Sequence, residues 1–265
     1  MSTTAPVTDN DEPLLLNTLQ DGVRYLTLNR PRQFNPLSEN MLTALRTALD
    51  EAGDDAHTRV IVVGANGKAF CAGHDLREMR SHHGQDYYET LFQQCSGLMQ
   101  ALVEIPKPVI AAVQGIATAA GCQLVAQCDL AVAAESAQFA VSGVNLGLFC
   151  STPSVALSRN VARKKAFEML VTGQFISADK ALEYGLVNRV APDDALLAEV
   201  KTLTDAITAK PAVAIETGKR MFYQQIERNL EGAYAYAGEV MACNMMAADT
   251  VEGVDAFLEK RPPRW

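Results

Sequence analysis

The stretch from Val109 to Ala134 constrains the fold of this chain more than any other. It is apolar almost throughout, yet Gln114, Gln123, Gln127 and Asp129 interrupt it. Placing Asp129 alone at the centre of a bilayer costs about 3 kcal/mol, so the stretch reads as buried core and not as a membrane span. Within it, Val109 to Val113 has the continuous apolar run of a buried strand and Gly115 turns the chain. Ala119-Ala120-Gly121 then opens a helix through Ala126, and Leu130 to Ala133 is a further strand.

The same alternation extends in both directions. Leu14 to Leu19 and Val23 to Leu28 flank Asp21-Gly22, a dipeptide suited to positive φ, and predict an opening hairpin. Ser38 is placed to cap a helix carrying Met41, Leu42, Leu45, Ala48 and Leu49, with Gly53 as its expected closing residue. Val60 to Val63 is a short β-branched strand, and Tyr88, Leu91, Cys95, Leu98 and Leu102 form one helical stripe ending before Pro106. Beyond Arg163 helices dominate: Ala166 to Val171 closed by Gly173, Ala178 to Tyr184 capped by Ser177, and most of Ala195 to Leu258, with one small strand at Val187 to Val190. The organisation expected is a short tail (1–13), an α/β core (14–194) and a helical C-terminal region (195–265).

Charge narrows the ligands. Lys and Arg number 23 against 31 Asp and Glu, a net charge of −8, which argues against a nucleic-acid binder held by counterion release. An anionic ligand must therefore meet locally grouped Arg and Lys. The cysteines at 71, 95, 122, 128, 150 and 243 contain no C-x-x-C pair and sit mostly in apolar runs, which predicts reduced thiols, no zinc site and a cytoplasmic protein. Met1 to Pro13 lacks Arg and Lys and reads as neither a signal nor a transit peptide. No serine-hydrolase elbow, phosphate-binding P-loop, zincin or dinucleotide fingerprint is present.

Three segments exceed structural need. Lys68 to Leu76 is a small, Gly-containing stretch after the strand Val60 to Val63, at a strand end where α/β sheets meet ligands, although a tight turn accounts for it equally. Gly115 to Gln123 leads small residues into a helix N-terminus, whose unpaired N–H groups suit a developing oxyanion, or alternatively allow close helix-to-strand packing. Gly147 to Pro153 offers Cys150, Ser151 and Thr152 as polar contacts, or simply starts a helix.

Together the segments resemble the enoyl-CoA hydratase/isomerase (crotonase) family. The likeness rests on Phe70-Cys71-Ala72-Gly73-His74-Asp75-Leu76, on Lys107 to Gly115, and on Ala120-Gly121-Cys122-Gln123-Leu124 with Cys128-Asp129. It continues through Thr172-Gly173, Gly185-Leu186-Val187 and Phe257-Leu258-Glu259-Lys260-Arg261. The resemblance implies a crotonase-like spiral of ββα repeats with a helical C-terminal region. It implies a homotrimer or dimer of trimers, and an acyl-CoA thioester as ligand with no cofactor beyond the substrate's own coenzyme A. It gives the backbone N–H groups of His74 and Ala120 to the thioester oxygen. Along the substrate it places Arg32, Phe34, Ala72, Asp75, Leu76 and Arg77, and from a neighbouring subunit Phe257 and Lys260. Taken singly, the Arg and Lys positions read as solvated surface charges.

The chain departs from the family's hydratases at two positions. Where those carry glutamates, this sequence has Gln123 and Gly143, neither of which titrates. Acid–base groups contribute roughly 10² to 10⁴ each, so ordinary hydration is expected to be severely slowed. His74 within Ala72-Gly73-His74-Asp75 also resembles methylmalonyl-CoA decarboxylases, in which loss of carbon dioxide generates the enolate without a base; alternatively only its backbone matters. The readings left open are a thioester-enolate enzyme and a non-catalytic acyl-CoA-binding trimer. His82 and His83 are expected to be exposed.

Overall fold

The computed structural model describes residues 12–265. It opens with the expected hairpin, β1 (Leu15–Gln20) antiparallel to β2 (Val23–Leu28). Asp21 at φ 50° and Gly22 at φ 78° make its two-residue turn, both left-handed as such a turn requires. After α1 (Glu39–Asp54) the chain repeats one pattern: a long strand, a short strand, then helix. The first repeat is β3 (Val60–Ala65), β4 (Ala69–Cys71), α2 (Leu76–Ser81) and α3 (Gln85–Glu104); the second is β5 (Val109–Val113), β6 (Ile116–Thr118) and α4 (Ala120–Gln127). The third is β7 (Leu130–Ala134), β8 (Gln138–Ala140), a 3-10 turn (Ser142–Leu146) and α5 (Ser151–Asn160). Then follow α6 (Arg163–Thr172), β9 (Ile176–Ser177), α7 (Ala178–Tyr184), β10 (Arg189–Ala191), and four helices, α8 (Leu196–Thr208), α9 (Ala212–Ile226), α10 (Leu230–Met245) and α11 (Ala248–Leu258).

The long strands join in one sheet, ordered β1-β2-β3-β5-β7-β10 and parallel from β2 onward. The short ones join in a second, β4-β6-β8-β9, parallel except at β9. The result is the expected α/β spiral of ββα repeats. Each side of the first sheet is covered. One carries the main core, which includes Leu26, Leu28, Met41, Leu45, Leu98 and Leu102. The other carries Val60, Val62, Ile110 and Val132 beneath Leu196 and Val200 of α8.

Several local expectations need correction. Strands β4 and β6 lie within the two small-residue segments and β8 and β9 where no strand was expected, because strands of two or three residues are too short to carry a period-two pattern. Gly53 does not close α1; the helix continues through Asp54, and Asp55, in extended conformation, ends it. Ser38 does cap that helix, accepting from the Met41 N–H at 3.2 Å. The late strand runs Arg189–Ala191, shifted from Val187 to Val190, because Leu186 and Val187 turn inward as core residues. Helix α8, assigned to the C-terminal region, packs as part of the core. Of the expected tail, residues 1–11 lie outside the described ones, while Glu12 and Pro13 accept hydrogen bonds through their carbonyls from Arg30 at 2.8 and 3.2 Å.

Candidate active site

Strands β4 and β6 are parallel neighbours, so their C-terminal ends emerge side by side. Beyond them the two small-residue segments touch. A methyl group on Gly73 would stand 2.9 Å from Ala119 Cβ and 3.3 Å from both the Ala120 nitrogen and the Thr118 carbonyl oxygen. Gly73 also holds φ 94°, a conformation that disfavours any side chain. Helix α4 lies directly on β4, since a Cβ at Gly121 would fall 2.2 Å from the Cys71 carbonyl oxygen.

The backbone at this junction is held from three sides. Ala119, at φ 51°, donates its N–H to the Ala140 carbonyl at 3.0 Å. The Leu37 N–H donates to the Gly73 carbonyl at 2.8 Å, and the Ala72 N–H to the Phe34 carbonyl at 3.0 Å. His74 pairs with Leu37 as an isolated parallel bridge, which uses the backbone groups flanking His74 and turns its own N–H to the opposite side. Ala120 begins α4, where the first N–H groups lack intrahelical acceptors and the helix dipole is positive. Donors so placed stabilise a developing oxyanion; removing one costs about 3 to 4 kcal/mol in enzymes that use them.

The side chains around the junction are neutral. His74 Nδ1 lies 3.1 Å from the Leu37 carbonyl and carries the ring proton toward it, leaving Nε2 as a buried lone pair with no partner among the described residues. Burial, partly opposed by that hydrogen bond, holds the imidazole pKa below its ordinary value. Gln123 is 3% exposed, and its Oε1 likewise has no partner. At Gly143 there is no room for a side chain: its Cβ would lie 2.5 Å from the Leu148 carbonyl oxygen and 2.7 Å from Cys150 Sγ. Burial raises the pKa of the Cys150 thiol, although the Gly143 N–H donates to its sulfur. Cys122, also buried, is pushed up to about 12. These thiols are protonated at neutral pH.

The remaining expected site residues divide. Asp75 caps α2, accepting from the N–H groups of Arg77 and Glu78 at 2.8 and 3.1 Å. Phe34, Leu76, Arg32 and Arg77 lie exposed beside the junction's own segments. Ser151 opens α5 with Pro153 in its first turn, so the helix-start reading of that segment holds. Phe257, 82% exposed, and Lys260 sit on and just after α11, and the single chain packs nothing over either. His82 and His83 are exposed. Two supports went unread in the sequence. Buried Asn35, at φ 52°, donates to the Asn66 and Ala69 carbonyls at 2.9 and 2.8 Å and accepts from the Arg30 N–H at 2.7 Å. Thr118 and Ser142 share a hydroxyl hydrogen bond at 2.9 Å. Asn tolerates left-handed backbone, and that preference was the only signal available for Asn35. Among the described residues no group of His, Cys, Asp and Glu is arranged to hold a metal ion.

A spiral of ββα units whose neighbouring strand ends abut at a helix N-terminus defines a protein of the crotonase class. The chain belongs to the family described as enoyl-CoA hydratase/isomerase, whose sequence pattern matches residues 18–265. It is 44% identical over 261 residues to the mouse mitochondrial enoyl-CoA hydratase domain-containing protein 3, spanning 98% of this chain and 87% of that protein. The crystal structure of the human protein of that name superposes with a TM-score of 0.93 at 43% identity, over 96% of this chain and 100% of that one. A solved enoyl-CoA hydratase from Mycobacterium smegmatis is 60% identical with a TM-score of 0.95, over 96% and 99% of the two chains. The mouse and human relatives are named mitochondrial, which overturns the cytoplasmic placement expected from the cysteines. That expectation read a reducing environment from unpaired thiols, and buried thiols stay unpaired wherever they have no partner in reach.

Proposed function

We propose that the chain binds acyl-CoA thioesters and stabilises a thioester enolate between the backbone N–H groups of His74 and Ala120. The observation that carries this reading is the contact of Gly73 with Ala119 and Ala120, which sets those two donors at one junction. Arg32, Arg77 and a neighbouring subunit's Lys260 are the cations for the coenzyme A phosphates. Hydration is not the reaction this site performs well. The Gln123 amide does not titrate, and Cys150 Sγ lies where a side chain at 143 would go. Losing two acid–base groups puts crotonyl-CoA hydration about 10⁴-fold or more below that of glutamate-bearing enzymes.

Decarboxylation of a malonyl-type thioester is a second reading. It is favoured by the neutral His74 ring and the absence of a carboxylate at positions 123 and 143, since that reaction needs no base. Thermal unfolding with acetyl-, crotonyl-, methylmalonyl- and long-chain acyl-CoA, run beside a turnover screen, tests both. Bound thioesters are expected to raise the melting temperature by mass action. If none moves it at saturating concentration, the ligand class is wrong; binding without turnover of any substrate leaves an acyl-CoA-binding protein and removes the enzyme.

A further inference from the structure

Phe34 and Asn35 are successive residues in left-handed backbone, at φ 62° and 52°, and neither is glycine. A bulky side chain rarely takes that conformation, and strained backbone persists only where its surroundings over-determine it. The Asn35 side chain does so here. It is fully buried, its Oδ1 accepts from the Arg30 N–H at 2.7 Å, and its Nδ2 donates to the Asn66 and Ala69 carbonyls at 2.9 and 2.8 Å. One carboxamide thus ties the turn from Arg30 to Leu37 onto the first residue of β4. The Ala69 carbonyl takes a second side-chain donor, Gln114 Nε2 at 3.0 Å, so the start of that strand is fixed by carboxamides from two loops.

What this turn holds is one peptide plane. Gly73 has no Cβ to restrict its torsions, so bonds from outside must orient the peptide joining it to His74. The Phe34 carbonyl accepts from the Ala72 N–H at 3.0 Å, and the Leu37 N–H donates to the Gly73 carbonyl at 2.8 Å. In a trans peptide the N–H points opposite to the carbonyl, so fixing the Gly73 carbonyl against Leu37 aims the His74 N–H away from the turn. Pro36, whose ring fixes its φ, is the stiff link between Asn35 and Leu37. Resting on the acyl-thioester reading above, we infer that Asn35 is a positioning residue for the carbonyl donor of that reading: its carboxamide sets the turn that aims the His74 N–H at the thioester oxygen.

Butyryl-CoA and S-butyl-CoA, a thioether of the same chain without the carbonyl oxygen, separate this role from a general one. A well-aligned neutral donor is worth about fivefold to tenfold in affinity, so titration calorimetry on the wild type is expected to favour butyryl-CoA by about tenfold or more. In Asn35→Gly, which keeps left-handed backbone accessible, that ratio is expected to fall about fivefold while the S-butyl-CoA constant stays within about twofold. The infrared carbonyl band of bound, isotope-labelled butyryl-CoA, lowered in frequency by the donors of the wild type, is expected to move back toward its position in water. Asn35→Asp, which keeps the acceptor for Arg30 and loses the donors, serves if the glycine variant does not fold; failure of both to fold makes Asn35 a folding residue and overturns the inference. So does a ratio and band unchanged in the variant, or an equal loss of affinity for both ligands. A wild type that binds the two alike overturns the paired donors together with this inference and leaves CoA binding intact, whereas a wild type that binds neither overturns the thioester reading itself.

Discussion

At the scale of single residues, the proposed site pairs two backbone donors with positions 123 and 143, neither of which carries a titratable side chain. Restoring carboxylates should therefore divide unequally between the two positions. Gln123→Glu is nearly isosteric and should raise crotonyl-CoA hydration measurably, up to the 10² to 10⁴ of one acid–base group. Adding Gly143→Glu should gain little or lose activity, because its Cβ must displace the Leu148 backbone oxygen and the Cys150 sulfur. A double variant much faster than the single one in steady-state assays would show that this loop moves aside freely. His74 gives a pH signature. Its folded pKa lies below the ordinary 6.5, so burial of the neutral ring contributes stability above about pH 6.5, and that contribution is lost as pH falls and the unfolded chain takes up the proton first. His74→Asn keeps a donor for the Leu37 carbonyl without titrating. Its melting temperature should fall less than that of the wild type between pH 6.5 and 5, and parallel curves would remove the argument. The approach of the Gly73 and Ala120 segments was legible because two small-residue stretches follow successive strands, whereas their proposed roles, and that of Gln123, come from the family resemblance alone. The filling of position 143 by Cys150 was not, since it depends on how the six residues between them fold back.

At the scale of elements, β3, β5 and β7 could be read because strands buried on both faces have continuous apolar runs. The second sheet escaped because β4, β6 and β8 have three residues each and pair only with partners far along the chain. The docking of α9 also escaped, as it rests on polar contacts between segments far apart in the chain. Lys219 Nζ donates to the Leu102 and Lys107 carbonyls at 2.7 and 2.9 Å and to Asp129 Oδ2 at 2.7 Å. The same carboxylate oxygen accepts from the Val109 N–H at 2.6 Å, and a Lys107–Glu216 ion pair flanks the cluster. Asp129, which rules out a membrane span in the sequence, is thus the anchor for a helix 90 residues away. Burial lowers the lysine pKa and the facing carboxylate opposes that shift, so the buried ammonium depends on Asp129. Lys219→Met should cost about 3 to 5 kcal/mol by leaving the largely buried Asp129 carboxylate without its counter-charge, lowering the melting temperature by on the order of 10 °C. Lys219→Met with Asp129→Asn should recover part of that loss, because the amide still accepts from Val109 without a buried charge. A shift of less than about 2 °C in the single variant would show the cluster to be well solvated.

At the scale of the molecule, the C-terminal helices are unfinished as a single chain. No residue of α10 is buried, although the helix carries Leu230, Tyr234 and Met241 at 75%, 74% and 70% exposure. Phe222 on α9, Met246 and Phe257 add to this surface at 53%, 82% and 82%. Soluble monomers rarely leave so many large apolar side chains in water, and covering them stabilises an assembly by roughly 25 cal/mol for each Å² removed from solvent. Opposing this, every chain carries −8, so copies repel unless an apolar face offsets the charge, and salt should favour association by screening. The exposed face argues for association and the family resemblance implies a trimer or dimer of trimers, so sedimentation velocity at micromolar concentration should give a particle three or six times the 28.6 kDa of the chain. Adding a charge at the middle of the face, as in Met241→Glu, should shift the protein toward monomer, and thioester affinity should fall with it if a neighbour's Phe257 and Lys260 complete the site. Phe257→Ala separates the two effects: it should weaken thioester binding while the particle keeps its size. A wild-type monomer would end the argument for a shared site, and full thioester affinity in a monomeric Met241→Glu variant would assign the whole site to one chain.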